Sequence, residues 1–162
     1  MNIIAATDSN NAIGYKNNLL YNIKEDKEYF KKLTTGKIIV MGRKTFESLP
    51  NKKPLPNRIN IIFTRNKNFS AENCILVNSK ENFFKLCKKN NFKSEDIFII
   101  GGSEIYKLFL DDCEKFYITE IISENKNADA YFPVKFQKKP VFFTEWKDFE
   151  NGKFRFTIYK EY

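Results

Sequence analysis

The sequence predicts an α/β domain built on a mixed, mainly parallel sheet, and three observations carry that expectation. Six short apolar runs, NIIAA, KIIVM, INIIFT, CILVN, IFII and FYITEII, have the length of strands buried on both faces. Segments of helical periodicity alternate with several of them, which is the order of βαβ units. The last stretch differs: PVFFTEW and KFRFTIYKEY flank KDFENG, whose Asn151-Gly152 is a turn signal, so the chain ends in an antiparallel hairpin.

Taken in order, NIIAA opens the chain as a strand, and the first helix is expected over 24–34. Wound at about 100° per residue, its Ile23, Tyr29, Phe30 and Leu33 share an arc of roughly 120°, with the lysines and glutamates on the remainder. Asp26 falls inside the apolar arc, where a carboxylate needs a reason. KIIVM leads into a short helix at 44–49, and INIIFT and CILVN follow as strands. Ser79 caps a helix over 80–90, IFII leads into a helix over 104–110, and FYITEII precedes the terminal hairpin.

The 162 residues suit a single domain spanning 1–162, large enough to bury a core without disulfides or metals. No Pro/Gly/Ser-rich linker, repeat, long apolar run or signal-peptide pattern breaks the chain, so a soluble cytoplasmic protein with no membrane association is expected. Cys74, Cys87 and Cys113 form no CxxC pair, which suits a reducing compartment and argues against a metal site. The formal charge of +8 is scattered rather than blocked, which favours lysine-rich composition over a nucleic-acid surface. The chain has no histidine, which removes Ser-His and Cys-His nucleophilic chemistry. Proton chemistry must rest on carboxylate, Tyr, Lys, Cys or water.

Ligands of such sheets bind beyond the carboxyl ends of the strands. Gly42-Arg43-Lys44-Thr45 follows KIIVM, Thr64-Arg65 follows INIIF, and Gly101-Gly102-Ser103 follows IFII. Cations, hydroxyls and bare backbone at three neighbouring strand ends suit a phosphate-bearing ligand. Only four arginines occur, and Arg43 and Arg65 follow adjacent strands, a pair suited to a ribose 2′-phosphate and hence to NADPH rather than NADH.

These segments resemble the dihydrofolate reductase family: IIAATDSNNAIG, MGRKTFES, PLPNR, FIIGGSEIY, FYITEI and DAYFP occur in its order and at its spacing over nearly the whole chain. The resemblance implies a central eight-stranded sheet flanked by helices, NADPH along the strand ends, and a monomer that binds dihydrofolate. Asp26 then matches the catalytic, pterin-binding carboxylate, whose oxygens would meet the pterin 2-amino and N3 groups. Ile4, Ala5, Phe30, Ile100 and Thr119 match the pterin pocket, Leu49 and Leu55 the passage beyond it, and Arg58 the residue holding the glutamate α-carboxylate.

On the cofactor side, the resemblance carries NADPH contacts onto Ala6, Ile13, Gly14, Asn17, Arg43, Lys44, Thr45, Thr64, Arg65, Gly101, Gly102, Ser103, Ile105 and Tyr106. It implies a lid over residues 8–23, braced by Asp129, with Ala128 where glycine is familiar. Tyr21 stands where the family has Trp and is expected to take over its catalytic contact with a water near the pterin. The implied reaction is hydride transfer to C6 of dihydrofolate with protonation of N5. Two rivals are a same-fold pyrimidinone reductase, which leaves the pairing of Asp26 with Arg58 without purpose, and a single-stranded nucleic-acid binder, which leaves Asp26 and the glycine turns unexplained.

Overall fold

The computed structural model describes residues 1–123, 127–133 and 139–160. In chain order the elements are β1 (Asn2–Asp8), β2 (Ala12–Tyr15), β3 (Asn18–Leu19), α1 (Lys24–Thr34), β4 (Ile38–Gly42), α2 (Arg43–Glu47), β5 (Ile59–Phe63) and β6 (Ile75–Val77). They continue with α3 (Lys80–Lys89), β7 (Ile97–Gly101), α4 (Ser103–Phe109), β8 (Lys115–Ser123), β9 (Ala130–Tyr131), β10 (Phe142–Phe143), β11 (Lys147–Phe149) and β12 (Gly152–Lys160). All six apolar runs are strands.

The main sheet runs β10-β12-β8-β1-β7-β4-β5-β6, with β11 also paired to β12. From β8 to β6 every pairing is parallel, whereas β12 joins β8 antiparallel and receives β10 and β11 antiparallel. The predicted hairpin is therefore β11–β12. Gly152 closes it at φ +150, where a Cβ would lie 1.9 Å from the Ile122 carbonyl oxygen, so no other residue fits.

Helix boundaries follow local chemistry. Ser79 Oγ accepts from the Asn82 amide at 3.1 Å and starts α3. The helix expected over 44–49 instead spans Arg43–Glu47, and a 3-10 turn follows at Pro50–Lys52. Pro50 forces Leu49 into extended backbone, which ends the helix early.

A second sheet, β3-β2-β9, is antiparallel and was not expected. Its strands are only two to four residues long, with β3 and β9 largely exposed, so they carry no apolar run for a pattern to detect. It occupies much of the segment expected to act as a lid.

Alternation along the central strands divides the core. Ile3, Ala5, Val40, Ile61, Phe63, Ile99 and Ile118 face α3 and α4, where Phe63, Phe83 and Phe109 meet with ring centroids 5.0 to 5.8 Å apart. Each such pair adds about 0.5 to 1.5 kcal/mol beyond area burial. Ile4, Ile39, Met41, Ile62 and Phe98 form the opposite face with Phe30, Leu33 and Phe46. A third cluster gathers Tyr21, Ile23, Ile121, Phe154 and Phe156. At the far edge Arg155 binds Glu120 at 2.6 Å and stacks on Phe143 and Trp146, its guanidinium carbon 5.2 and 4.6 Å from the two ring centroids.

The sheet opens at one place. β1 pairs with β7 only at Asn2 and Ile3, then stays on β8 as far as Asp8. On β7 the register with β4 passes from Val40↔Ile99 to Met41↔Gly101, which leaves Ile100 bulged. Ile4 and Ile100 therefore stand on either side of a parting between β1 and β7.

Candidate active site

Helix α1 crosses this region with Asp26 in its first turn. The helix lies between two apolar clusters: Phe30 and Leu33 join the one around Ile4, while Tyr29 and Ile23 join the one around Tyr21. Asp26 sits at their boundary, half-buried. Thr119 Oγ1, on β8 and 3 % exposed, donates to Asp26 Oδ1 at 2.5 Å. Oδ2 has no hydrogen-bond donor among the described residues. Burial pushes the carboxyl pKa up, against the pull of the Thr119 hydroxyl and Lys27. The arrangement holds one oxygen still and leaves the other for a ligand.

Five of the residues assigned to substrate, Ile4, Phe30, Leu49, Leu55 and Ile100, fall in one apolar cluster. Ala5 does not: strand alternation turns its side chain into the opposite core, so only its backbone can serve the cleft. Beyond the cluster, Arg58 donates from Nε to the Pro56 carbonyl and from Nη1 to Thr34 Oγ1, both at 3.0 Å. No carboxylate pairs with it among the described residues, and burial lowers its pKa. A guanidinium held by neutral acceptors keeps its charge available for an incoming anion.

The other strand ends converge as well. Gly101 and Gly102 are joined by a cis peptide, and Gly101 has φ +117 with a Cβ site 3.2 Å from the Tyr106 ring and hydroxyl. A Cβ on Gly102 would lie 3.4 Å from Thr45 Oγ1, and one on Gly42 3.2 Å from Ile105. The ends of β4 and β7 and the starts of α2 and α4 thus touch, and Tyr106 reaches through to donate to the Ile4 carbonyl at 2.8 Å. Burial and the nearby Asp26 push the Tyr106 pKa up, so it remains a neutral donor. Because α2 and α4 are short, side chains and bare backbone must do more here than helix dipoles.

The predicted phosphate cations differ in state. Arg43 is held by Glu47, Nη1 to Oε1 at 2.7 Å and to Oε2 at 3.0 Å, an i,i+4 pair that sequence reading missed. Arg65 is exposed beside a groove of about 700 Å³ lined by Thr64, Arg65, Leu76, Val77 and Asn78. Lys44 is exposed, and its carbonyl accepts from Asn17 Nδ2 at 2.9 Å. Asn17 lies in the turn between β2 and β3, with Ile13 and Gly14 on β2. Asp129 Oδ2 accepts from the Lys16 amide at 2.9 Å, tying its loop to the turn between β2 and β3 with Ala128 in place. Ser103 Oγ accepts from the Tyr131 amide at 3.1 Å, and the Ala6 side chain packs beside the Tyr21 cluster.

Tyr21 is placed differently from the expectation of a catalytic water contact. Its hydroxyl, 8 % exposed as a residue, donates to Asp8 Oδ2 at 2.9 Å, so its proton is already committed. Burial first, then the Asp8 carboxylate, raises its pKa to about 12. A further groove of about 1220 Å³ runs along Leu20–Glu25 and the β11–β12 hairpin without including Asp26, so chemistry rather than size locates the site.

Positioning residues also escaped the sequence reading. Buried Asn60 accepts from the Leu55 amide at 3.0 Å and donates to the Leu55 and Arg58 carbonyls at 2.9 and 3.1 Å, fixing the turn that presents both residues. Its signal was an amide inside INIIF. Buried Thr34 holds Arg58, and its signal was a hydroxyl on the inner face of a helix end. Among the described residues no cluster of three or more His, Cys, Asp or Glu is placed to hold a metal, and no helix is long and apolar enough to cross a membrane.

A family model described as dihydrofolate reductase matches residues 1–160. A dihydrofolate reductase of Staphylococcus haemolyticus is 40 % identical over 148 residues, covering 91 % of this chain and 81 % of that protein. One from Bacillus subtilis is 37 % identical over 133 residues, 82 % of this chain and 75 % of its own. The bifunctional dihydrofolate reductase-thymidylate synthase of Paramecium tetraurelia is 38 % identical over 131 residues, 80 % of this chain and 27 % of the longer protein.

Proposed function

The chain belongs to the dihydrofolate reductase family and is an enzyme of dihydrofolate reduction with a nicotinamide cofactor; from that premise we propose that the cofactor is NADPH and that Asp26 anchors the pterin. The reaction is reduction of 7,8-dihydrofolate to 5,6,7,8-tetrahydrofolate, with hydride delivered to C6 and a proton to N5. Bound NADPH supplies the hydride.

The observation that carries the assignment is Asp26, tied to Thr119 through one oxygen and open through the other. That open oxygen, with its fixed neighbour, suits the adjacent N–H donors of a pterin edge. Asp26 is also the group whose charge favours a protonated pterin, because burial weakens screening around it. Phe30, Leu49, Leu55, Ile4 and Ile100 exclude water from the ring faces. Arg58 takes the glutamate carboxylate at the open end of the same wall.

The bare backbone at Gly101 and Gly102 fits a pyrophosphate, since a Cβ at either would meet Tyr106 or Thr45. Thr45 and Ser103 would supply hydroxyls beside it, and Thr64, Arg65 and Arg43 would hold the 2′-phosphate. Ile105 and Tyr106 close the floor, and Ala6, Ile13, Gly14 and Asn17 would border the nicotinamide. We take the working form to be a cytoplasmic monomer. Mixing the protein with NADPH and dihydrofolate and following the loss of reduced-nicotinamide absorbance tests the assignment. No loss with dihydrofolate, or equal rates with NADH, would overturn the corresponding part.

A further inference from the structure

Asp8 takes no part in the chemistry above, yet it is 6 % exposed and accepts three hydrogen bonds. Oδ1 receives the Asn10 and Ala12 amides and Oδ2 receives the Tyr21 hydroxyl, each at 2.9 Å. The donors lie at opposite ends of the segment 9–20: two where it leaves β1, one where it meets α1. That segment carries Ile13, Gly14 and Asn17 and turns through positive φ at Asn11, Lys16 and Asn17. Its side-chain ties at the tip, Asp129 to the Lys16 amide and Asn17 to the Lys44 carbonyl, are exposed. The tie at its base is buried.

We propose that Asp8 is a positioning residue for hydride transfer: by joining both ends of the segment 9–20 through Tyr21, it fixes where Ile13, Gly14 and Asn17 stand over the cleft. This rests on the reaction assigned above. A buried carboxylate with three donors is stiff, because releasing any one of them leaves a charged acceptor short in a dry site. The Tyr21 ring is itself held, in the cluster of Ile23 and Phe154 and edge-on to Phe149 at 6.2 Å between centroids. The Ser123 hydroxyl bonds to the Tyr21 oxygen from β8, so the tie reaches the main sheet.

Two substitutions cut the tie from either side. Asp8→Asn keeps an oxygen for the Asn10 and Ala12 amides but turns an N–H toward a hydroxyl that already has Ser123 beside it. Tyr21→Phe keeps the ring and removes the donor. Each single variant should slow single-turnover oxidation of NADPH by dihydrofolate about five- to tenfold, with the KM for dihydrofolate within twofold of the parent. The double variant should be no slower than the slower single, because both remove one interaction. Amide hydrogen exchange, measured without ligands, should quicken in peptides spanning 9–20 and stay unchanged in β4 and α3.

Rates within twofold of the parent would overturn the proposal. So would losses that multiply in the double variant, or faster exchange throughout the chain. If the parent fails to oxidise NADPH with dihydrofolate, the assigned reaction fails, and the exchange comparison still decides whether Asp8 fixes the segment.

Discussion

Asp26 sets two opposing demands at one residue. Its pKa is raised in the folded chain, whereas an unfolded Asp titrates near 3.9. As pH rises above the unfolded value the unfolded chain gives up its proton first, so folding stability falls as pH climbs from the unfolded pKa through the folded one. Asp26→Asn should therefore raise the Tm of the ligand-free protein at neutral pH, by about 2 to 4 °C for each kcal/mol relieved. The gain should vanish in acid below the unfolded pKa, as calorimetry across a pH series would reveal. The same variant should lose roughly 10²- to 10⁴-fold in turnover, because the amide offers a donor where the pterin has donors. At Arg58 the expectation is selective: Arg58→Leu should raise the KM for dihydrofolate about 10- to 100-fold, the worth of a charge-assisted pair, and leave that for NADPH nearly unchanged. Steady-state kinetics against each substrate separates these. Asp26 was legible because it broke a helical pattern; Thr34 and Asn60, which position Arg58, were not, because a buried hydroxyl or amide has no periodic signature.

At the scale of elements, α2 holds a cation and its own counter-charge one turn apart, Arg43 against Glu47. A dianionic phosphate approaching Arg43 meets that carboxylate too, so Glu47 should weaken discrimination between NADPH and NADH. Glu47→Gln is expected to raise the preference for NADPH about 2- to 5-fold, since an exposed pair of this kind is worth up to about 1 kcal/mol. Arg43→Ala should lower it by more; the ratio of kcat/KM for the two cofactors reads both. Every strand with an apolar run and every α-helix could be read from the sequence within two residues, since burial on both faces writes a continuous run and a one-sided helix writes an arc. The small sheet of β2, β3 and β9 could not, because its strands are only two to four residues long and β9 joins β2 from far along the chain. The tie between Asp8 and Tyr21 was hidden for a related reason: two polar residues thirteen apart announce nothing until the turn between them closes.

Over the whole molecule the formal net charge is +8, and both proposed ligands are anionic. Dispersed charge of one sign raises the encounter rate of opposite charge and is screened within about 10 Å at 0.1 M salt. Association of NADPH, followed by stopped-flow, should therefore slow severalfold between low salt and 0.5 M salt while its dissociation rate changes little. An unchanged association rate would leave the excess lysine as composition alone. The order of the whole, parallel strands first and an antiparallel hairpin last, could be read from the sequence, whereas the parting between β1 and β7, where pairing stops after Ile3, could not, since register leaves no mark in composition.

That hairpin gives the molecule an optical property. The chain has one tryptophan, Trp146, stacked under Arg155 at the edge of the sheet, in the span between β10 and β11. Intrinsic emission excited in the indole band therefore originates at the C-terminal edge rather than among the residues that line the cleft. It serves as a local lamp: its colour and intensity report whether β10, β11 and β12 are docked on β8. A reduced nicotinamide bound across the sheet would register in that light only as an acceptor of transferred energy, so one fluorophore distinguishes loss of fold from arrival of ligand.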